Sequence, residues 1–442
     1  RAIERLLRQV VPPEQWSLLD GLGLSGPGRV AAAVRAEAGA PPRAELDVVA
    51  AQMRPRAAPL DLRNVRAVVE LGARGFRLVR PARADYAEGG QVTLQGEGDW
   101  GRDPAVQRVT IELVDVPVTE RFVGALPAAL AELLGSLSPR GAIIRDMAIA
   151  TPDTRAWDVS GTVAFEAAEL NLGLRLTDFG GQLDGRATVD HDGGVALEAT
   201  FAIDHGALAQ RPLERCEGRL VVRPQDRWVA LEDISGMLCD GELRGFGRIE
   251  PRTREYELAV TLRNLDLDAF LQRSDGGAPS GARLDGHVFV RGTGPSAATR
   301  RGGGTLLLRG VSVGRVPVLP SVADASRAER RRLGGSAELI ELRFDWVGSV
   351  LQLQRVLVQS GDTRLVGRGR WNMNGDTLDL TLIAAPLELP NTPLLSLLDI
   401  AREDLAQYRV TGTVTRPRVT LEPLHAVSET LREIIGTEPA GR

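Results

Sequence analysis

The chain has 442 residues, of which 43% are hydrophobic and only 4% aromatic, and its formal net charge is -4. A chain of this length can bury a large core and is too long for one ordinary compact domain, so it reads as multi-unit or elongated. All 54 basic residues are arginine, and the charge balance offers no case for the concentrated positive face that phosphate backbones need, which sets a nucleic-acid partner aside.

The first residue is Arg1 rather than Met, and no run of about 18 apolar residues long enough to span a bilayer occurs. The expectation is a fragment whose signal or membrane anchor lies upstream. RAIERLLRQV at 1–10 reads as the tail of a helix. GLGLSG at 21–26 satisfies G-x-G-x-x-G, but a dinucleotide site needs a strand before it and a helix after it. Here a helix-like LLDGL precedes and the strand-like RVAAAVRAEA follows, so the glycines fit a strand better than a phosphate loop.

Val109, Ile111 and Leu113 alternate with Thr110 and Glu112, the period of two that marks a half-buried strand. TERFVGALPAALAELLGSL at 119–137 predicts a helix, with Thr119 as its cap and a stripe through Val123, Leu126, Leu130, Leu133, Leu134 and Leu137, although Pro127 should kink or delay it. Val195, Leu197, Ala199, Phe201 and Ile203 form a second alternating strand, and Tyr256, Leu258, Val260 and Leu262 a third. Cys216 and Cys239 fall on the first and third strands of a meander by this reading, two strand spacings of about 4.8 Å apart, which favours two buried thiols over a disulfide. RAERRR at 327–332 is the dense basic run, read as a solvated helix end or loop, with a contact to anionic head groups or a partner as the alternative. Ile340, Leu342, Phe344 and Trp346 alternate with Glu341, Arg343 and Asp345. Residues 392–406 and 424–435 read as two further helices. DHDGG, RPQD and NMNGD punctuate the strands as tight turns of antiparallel hairpins.

One phrase returns. LQGEGDW at 94–100 is echoed by LRGFGRI at 243–249 and LVGRGRW at 365–371, with a fainter LSGPGRV at 24–30. Each full copy leads into a period-two strand, then a helical or loop excursion, then a short strand with a glycine: VSGTVAF at 159, LDGHVFV at 284, VTGTVTR at 410. Glycine inside a strand marks a bulge, a bend or a close backbone approach. Gly96, Gly98, Gly245, Gly247, Gly367 and Gly369 are therefore expected at strand bends, in a sheet bent the same way in every unit. The boundaries this suggests are 1–140, 141–280 and 281–423, with a helical tail at 424–442.

SAELIELRFDWVGSVLQLQRVLVQSGDTRLVGRGRWNMNGDTLDLTLIAAPLELP, the closing YRVTGTVTRPRVTLEP and GGGTLLLRGVSVGRVPVLPSV at 302–322 resemble the C-terminal region of AsmA-like proteins. The likeness extends more weakly back to about residue 20. It implies a periplasmic cell-envelope protein, anchored to the inner membrane through a segment outside this chain and related to the repeating β-groove bridges that move phospholipid between inner and outer membranes. The family offers no catalytic motif to carry over.

The fold expected is mainly β: an elongated, curved antiparallel sheet of repeated units, a β-groove, with a few short amphipathic helices. Its apolar face would be lined by Val109, Ile111, Leu113, Val195, Leu197, Phe201, Ile203, Tyr256, Leu258, Val260, Leu262, Ile340, Leu342, Phe344 and Trp346, meeting phospholipid acyl chains, with other envelope proteins at the ends. No cofactor, metal or enzymatic activity is expected: RRGGGT at 300–305 lacks the lysine of a phosphate loop, and His191, His205, His287 and His425 stand singly. The same stripes could be the inner faces of ligand-free β-sandwiches in a structural or adhesive chain. An outer-membrane barrel fits less well, because 3 Tyr and 6 Trp are few for two aromatic girdles.

Overall fold

The computed structural model describes residues 24–35, 43–54, 59–72, 75–99, 106–126, 131, 140–153, 156–171, 175–190, 194–224, 226–271, 281–294, 296–312, 336–360, 363–386, 406–413 and 416–422. The chain forms two compact units: Arg1–Gln210, Glu214–Asp233 and Arg248–Arg254 in the first; Arg211–Leu213, Ile234–Gly247 and Glu255–Arg442 in the second. The fold is mainly β and antiparallel, as its alternating sequence requires, with few and short helices.

In the first unit ten strands follow one another: β1 (Leu24–Arg35), β2 (Arg43–Met53), β3 (Leu62–Gly72), β4 (Gly75–Tyr86), β5 (Gln91–Asp99), β6 (Val106–Pro117), β7 (Arg140–Asp153), β8 (Ala156–Asn171), β9 (Arg175–Asp190) and β10 (Val195–Leu208). Each pairs antiparallel with the next. β11 (Arg211–Val222), β12 (Val229–Leu238) and β13 (Gly241–Ile249) are divided between the units. The second unit continues with β14 (Glu255–Asp266), β15 (Arg283–Thr293), β16 (Arg301–Ser312), β17 (Ser336–Val347), β18 (Val350–Ser360), β19 (Thr363–Asn372), β20 (Thr377–Pro386), β21 (Ala406–Thr413) and β22 (Pro417–Glu422), again paired in sequence order.

Among the described residues two short α-helices interrupt the strands, α1 (Glu120–Gly124) after β6 and α2 (Leu267–Phe270) after β14. Thr119 caps α1, its hydroxyl accepting from the Phe122 amide at 3.2 Å. Asp266 caps α2 in the same way, accepting from the Ala269 amide at 2.9 Å. The long stripe read over 119–137 is described as helix at Glu120–Gly124 and again at residue 131; most of its remainder, the helices at 392–406 and 424–435, and the RAERRR run lie outside the described residues.

A second repeat, not anticipated, explains how the faces stay apolar. LRNV at 62–65, LVDV at 113–116, LTDF at 176–179, LERC at 213–216, LEDI at 231–234 and LRNL at 262–265 share one backbone. The third residue is left-handed in all six: Asn64, Asp115, Asp178, Arg215, Asp233 and Asn264 have φ between 48° and 56°. Asn and Asp visit this region most readily among non-glycine residues. The extra residue turns two consecutive side chains outward, polar in five of the six and Val114 with Asp115 in the other, and lets apolar positions three apart, such as Leu62 and Val65 or Leu262 and Leu265, face the same way. Asn264→Val, a β-branched residue in a left-handed position, is expected to destabilise by about 1–3 kcal/mol, and Asn264→Gly to change little, in urea unfolding.

Two expectations of order are corrected. VSGTVAF lies in β8, one strand beyond the pair of β6, because β7 intervenes; LDGHVFV and VTGTVTR do pair directly with their period-two strands, as β15 on β14 and β21 on β20. Cys239 is not on a strand but in the turn between β12 and β13, with left-handed φ of 48° and its amide donating to the Pro212 carbonyl at 3.0 Å. Cys216 is on β11, and both are free, buried thiols. Burial pushes each up to about 11 from 9.0. A raised thiol favours the protonated folded state, so its contribution is complete below pH 9 and lost as pH climbs from 9 through 11. Cys216→Ser and Cys239→Ser are expected to flatten that decline in a stability profile.

Candidate functional site

The strand registers assemble the alternating residues into continuous rows. In the first unit Leu94, Ile111, Ile149, Val159, Ala187 and Leu197 are successive cross-strand partners from β5 to β10. The next row runs Val92, Leu113, Met147, Gly161, Gly185 and Ala199, and Val163, Leu183 and Phe201 make another. Val109 sits opposite Gly96, Val195 opposite Val189, and Ile203 opposite Gly181. All seven candidate residues of this unit thus share one face. Leu113 is buried; Val109, Ile111, Val195, Leu197, Phe201 and Ile203 are half-buried.

The opposite face is polar with interspersed alanines. Glu112, Ala148, Ser160, Arg186 and Glu198 form its parallel row. Thr162 donates to Asp184 at 2.5 Å and Thr188 to Asp158 at 3.1 Å. Two shallow depressions lie on the unit, and both hold charges that neutralise one another: Arg219 bonds Asp233 at 2.7 Å and Glu232 at 3.2 Å, and Arg223 bonds Glu232 at 2.9 Å. Among the described residues no group of His, Cys, Asp and Glu is placed to hold a metal.

The second unit repeats the construction. Leu262, Gly286, Leu306, Leu342, Val356, Gly367, Leu382, Tyr408 and Leu421 are successive partners from β14 to β22. Beside them run Val260, Val288, Gly304, Phe344, Leu353, Gly369, Leu380, Val410 and Val419, then Leu258, Val290, Gly302, Trp346, Leu351, Trp371, Leu378 and Gly412. Tyr256 faces Gly292, and Ile340 joins Leu308 to Val358. Tyr256, Leu262, Ile340 and Phe344 are buried; Leu258, Val260, Leu342 and Trp346 are half-buried. Sequence reading missed the intervening members, such as Ile149, Val356 and Tyr408, because their parity resets across each bulge. The L-x-(Asn, Asp or Arg)-apolar phrase is the signal that finds them.

The repeated glycines lie within strands: Gly96 and Gly98 in β5, Gly245 and Gly247 in β13, Gly367 and Gly369 in β19. Where the flanking ladders are given, the preceding strand shifts register opposite the glycine pair, β4 between Arg77 and Ala82 and β18 between Leu353 and Val356, while the following ladder is unbroken. Large side chains occupy the space the missing Cβ leaves. A Cβ at Gly367 would lie 2.5 Å from Leu382 Cδ2, and one at Gly218 would lie 2.6 Å from the Phe201 ring. Gly367→Val is expected to destabilise by about 1–3 kcal/mol in chemical unfolding, since backbone and leucine cannot both yield.

One border of the first face is closed. Phe122 of α1 is 2% exposed and packs with Tyr86, Val92, Leu113, Val116 and Ile144 in a single cluster. Its ring meets Tyr86 edge-on, with centroids 6.4 Å apart. Glu88, in the β4–β5 turn, binds Arg121 at 3.3 Å, accepts from the Tyr86 hydroxyl at 3.3 Å and from Thr119. Burial pushes the Tyr86 phenol up from its ordinary range. In the second unit α2 takes the corresponding place after its bulge, with Leu267 buried.

No protein-family model matches the chain, no curated protein matches it, and no solved structure matches it. No helix among the described residues is long and apolar enough to cross a membrane.

Proposed function

We propose that the apolar face of each unit shields the acyl chains of phospholipid, and that the chain works as an AsmA-like envelope protein passing lipid between inner and outer membranes. The single observation that carries this reading is the run of uninterrupted apolar rows, nine strands long from β14 to β22. An acyl chain in water costs about 0.8 kcal/mol per methylene, so a carrier needs continuous apolar cover. Strands of 12 residues, such as β14, span about 40 Å, enough to lay a chain along the strand direction. The half-buried state of Ile111, Leu197, Leu258 and Leu342 leaves area for such a ligand. The order of the AsmA-like phrases adds the envelope setting.

The test is photo-crosslinking in cells followed by mass spectrometry of the adducts. Crosslinkers at Ile111, Leu197, Leu258 and Leu342 are expected to capture phospholipid, and crosslinkers at Glu112, Glu198, Glu341 and Arg343 are not. Equal capture on both faces, or none on either, sinks the reading and favours a structural chain.

A further inference from the structure

We propose that the outward face of β1, β3 and β4 is a docking strip for an anionic lipid surface, a role separate from the apolar face and independent of whether that face carries lipid. The register sets Arg66 directly opposite Arg83, and Arg80 opposite Val68 on the same outward side. Arg66 also follows Val49 and Arg29 in its row, and Arg63 lies three residues away, across the bulge at Asn64. All five arginines are exposed, and among the described residues none of them has a carboxylate partner. On β1 to β4 these rows hold two carboxylates: Asp47, diagonal to Arg66, and Asp85, which lies opposite Arg63 and whose oxygen accepts from the Asn64 amide group at 2.8 Å; the row of Arg83 reaches Glu112 two strands further on.

Like charges directly opposite in a strand pair are destabilising, and a chain with net charge -4 has acids elsewhere to spend on neutralising them. Other outward arginines on this unit are matched, Arg77 by Glu97 at 3.1 Å and Arg145 by Asp115 at 2.9 Å. The unmatched ones stand in a flat array, about 5 Å apart across strands, rather than converging on a point. A single small anion is bound by convergent donors; an array suits many phosphates in one plane. The β4 bulge adds Val79, 47% exposed, and exposed Pro81 between Leu78 and Ala82. Arginines flanking an exposed apolar residue match the head-group boundary of a membrane, where charge meets phosphate and the apolar side chain enters below it.

The test is partition of the purified chain onto vesicles of phosphatidylcholine with about one-third phosphatidylglycerol, against phosphatidylcholine alone. Binding is expected on the anionic vesicles only, released by raising salt. Arg66→Gln, Arg80→Gln and Arg83→Gln together should lower the partition coefficient about a hundredfold, at about fivefold per arginine. The triple Arg→Lys variant should stay within about threefold, because a charged plane does not require the guanidinium fork. Arg291→Gln, Arg343→Gln and Arg364→Gln in the second unit should change it less than about threefold. The strip is refuted by equal binding to neutral vesicles, by an equal loss in the second-unit variant, or by a loss in the lysine variant as large as that with glutamine. It is also refuted if soluble glycerol phosphate at millimolar concentration competes fully, which indicates a free-anion site, or if duplex DNA binds as tightly as the vesicles. Lipid capture at Leu197 is read separately and does not depend on these outcomes.

Discussion

Phe122→Ala is expected to destabilise the first unit by about 3–5 kcal/mol, the range for emptying a large aromatic site that cannot collapse. The ring is 2% exposed and lies in one core cluster with Tyr86, Val92, Leu113, Val116 and Ile144, which come from four strands. Its loss removes both that buried area and the edge-on contact with Tyr86 at 6.4 Å. The surrounding residues hang on paired strands, so they cannot close the gap without breaking ladders. Chemical unfolding followed by Trp fluorescence measures it. Phe122→Leu should recover more than half of the loss, and a loss under about 1 kcal/mol for alanine would mean the α1 border is dispensable.

The second large effect is on transfer rather than folding. Leu342→Asp is expected to leave the second unit folded while reducing phospholipid transfer between donor and acceptor vesicles at least tenfold. Leu342 stands mid-row between Leu306 and Val356 and is half-buried, so a carboxylate there keeps access to water and the sheet survives. A passing acyl chain must then displace that water, and an unpaired charge without hydration costs several kcal/mol. Leu258→Asp, also half-buried, should behave alike. Leu284→Asp is the contrast: at 1% exposure it has no water to face and should unfold the unit. Thermal melts beside the transfer assay separate these outcomes. Unfolding by Leu342→Asp favours a closed core, and full transfer by a folded Leu342→Asp removes the residue from any conduit.

Much of this was legible from residues alone. Alternation at 109–113, 195–203, 256–262 and 340–346 fixes antiparallel strands with one greasy side, because side chains on a pleated strand alternate and only one face can be buried. It also determined which side: Ile111 against Glu112, Leu342 against Arg343. What periodicity within a strand cannot state is which residue of the neighbour it meets, since register depends on the turns and on every bulge between. Only the tertiary structure joined Ile111 to Ile149 and Leu197 in one row, set a Phe201 ring over Gly218, and put Phe122 in one core cluster with residues of four strands. It also brought Arg66 against Arg83, seventeen residues apart in a chain whose overall charge is negative. The six left-handed residues from Asn64 to Asn264 hold the physical reason: each shifts parity by one, so a local pattern stays readable while its continuation does not. Face belongs to the sequence; adjacency belongs to the fold.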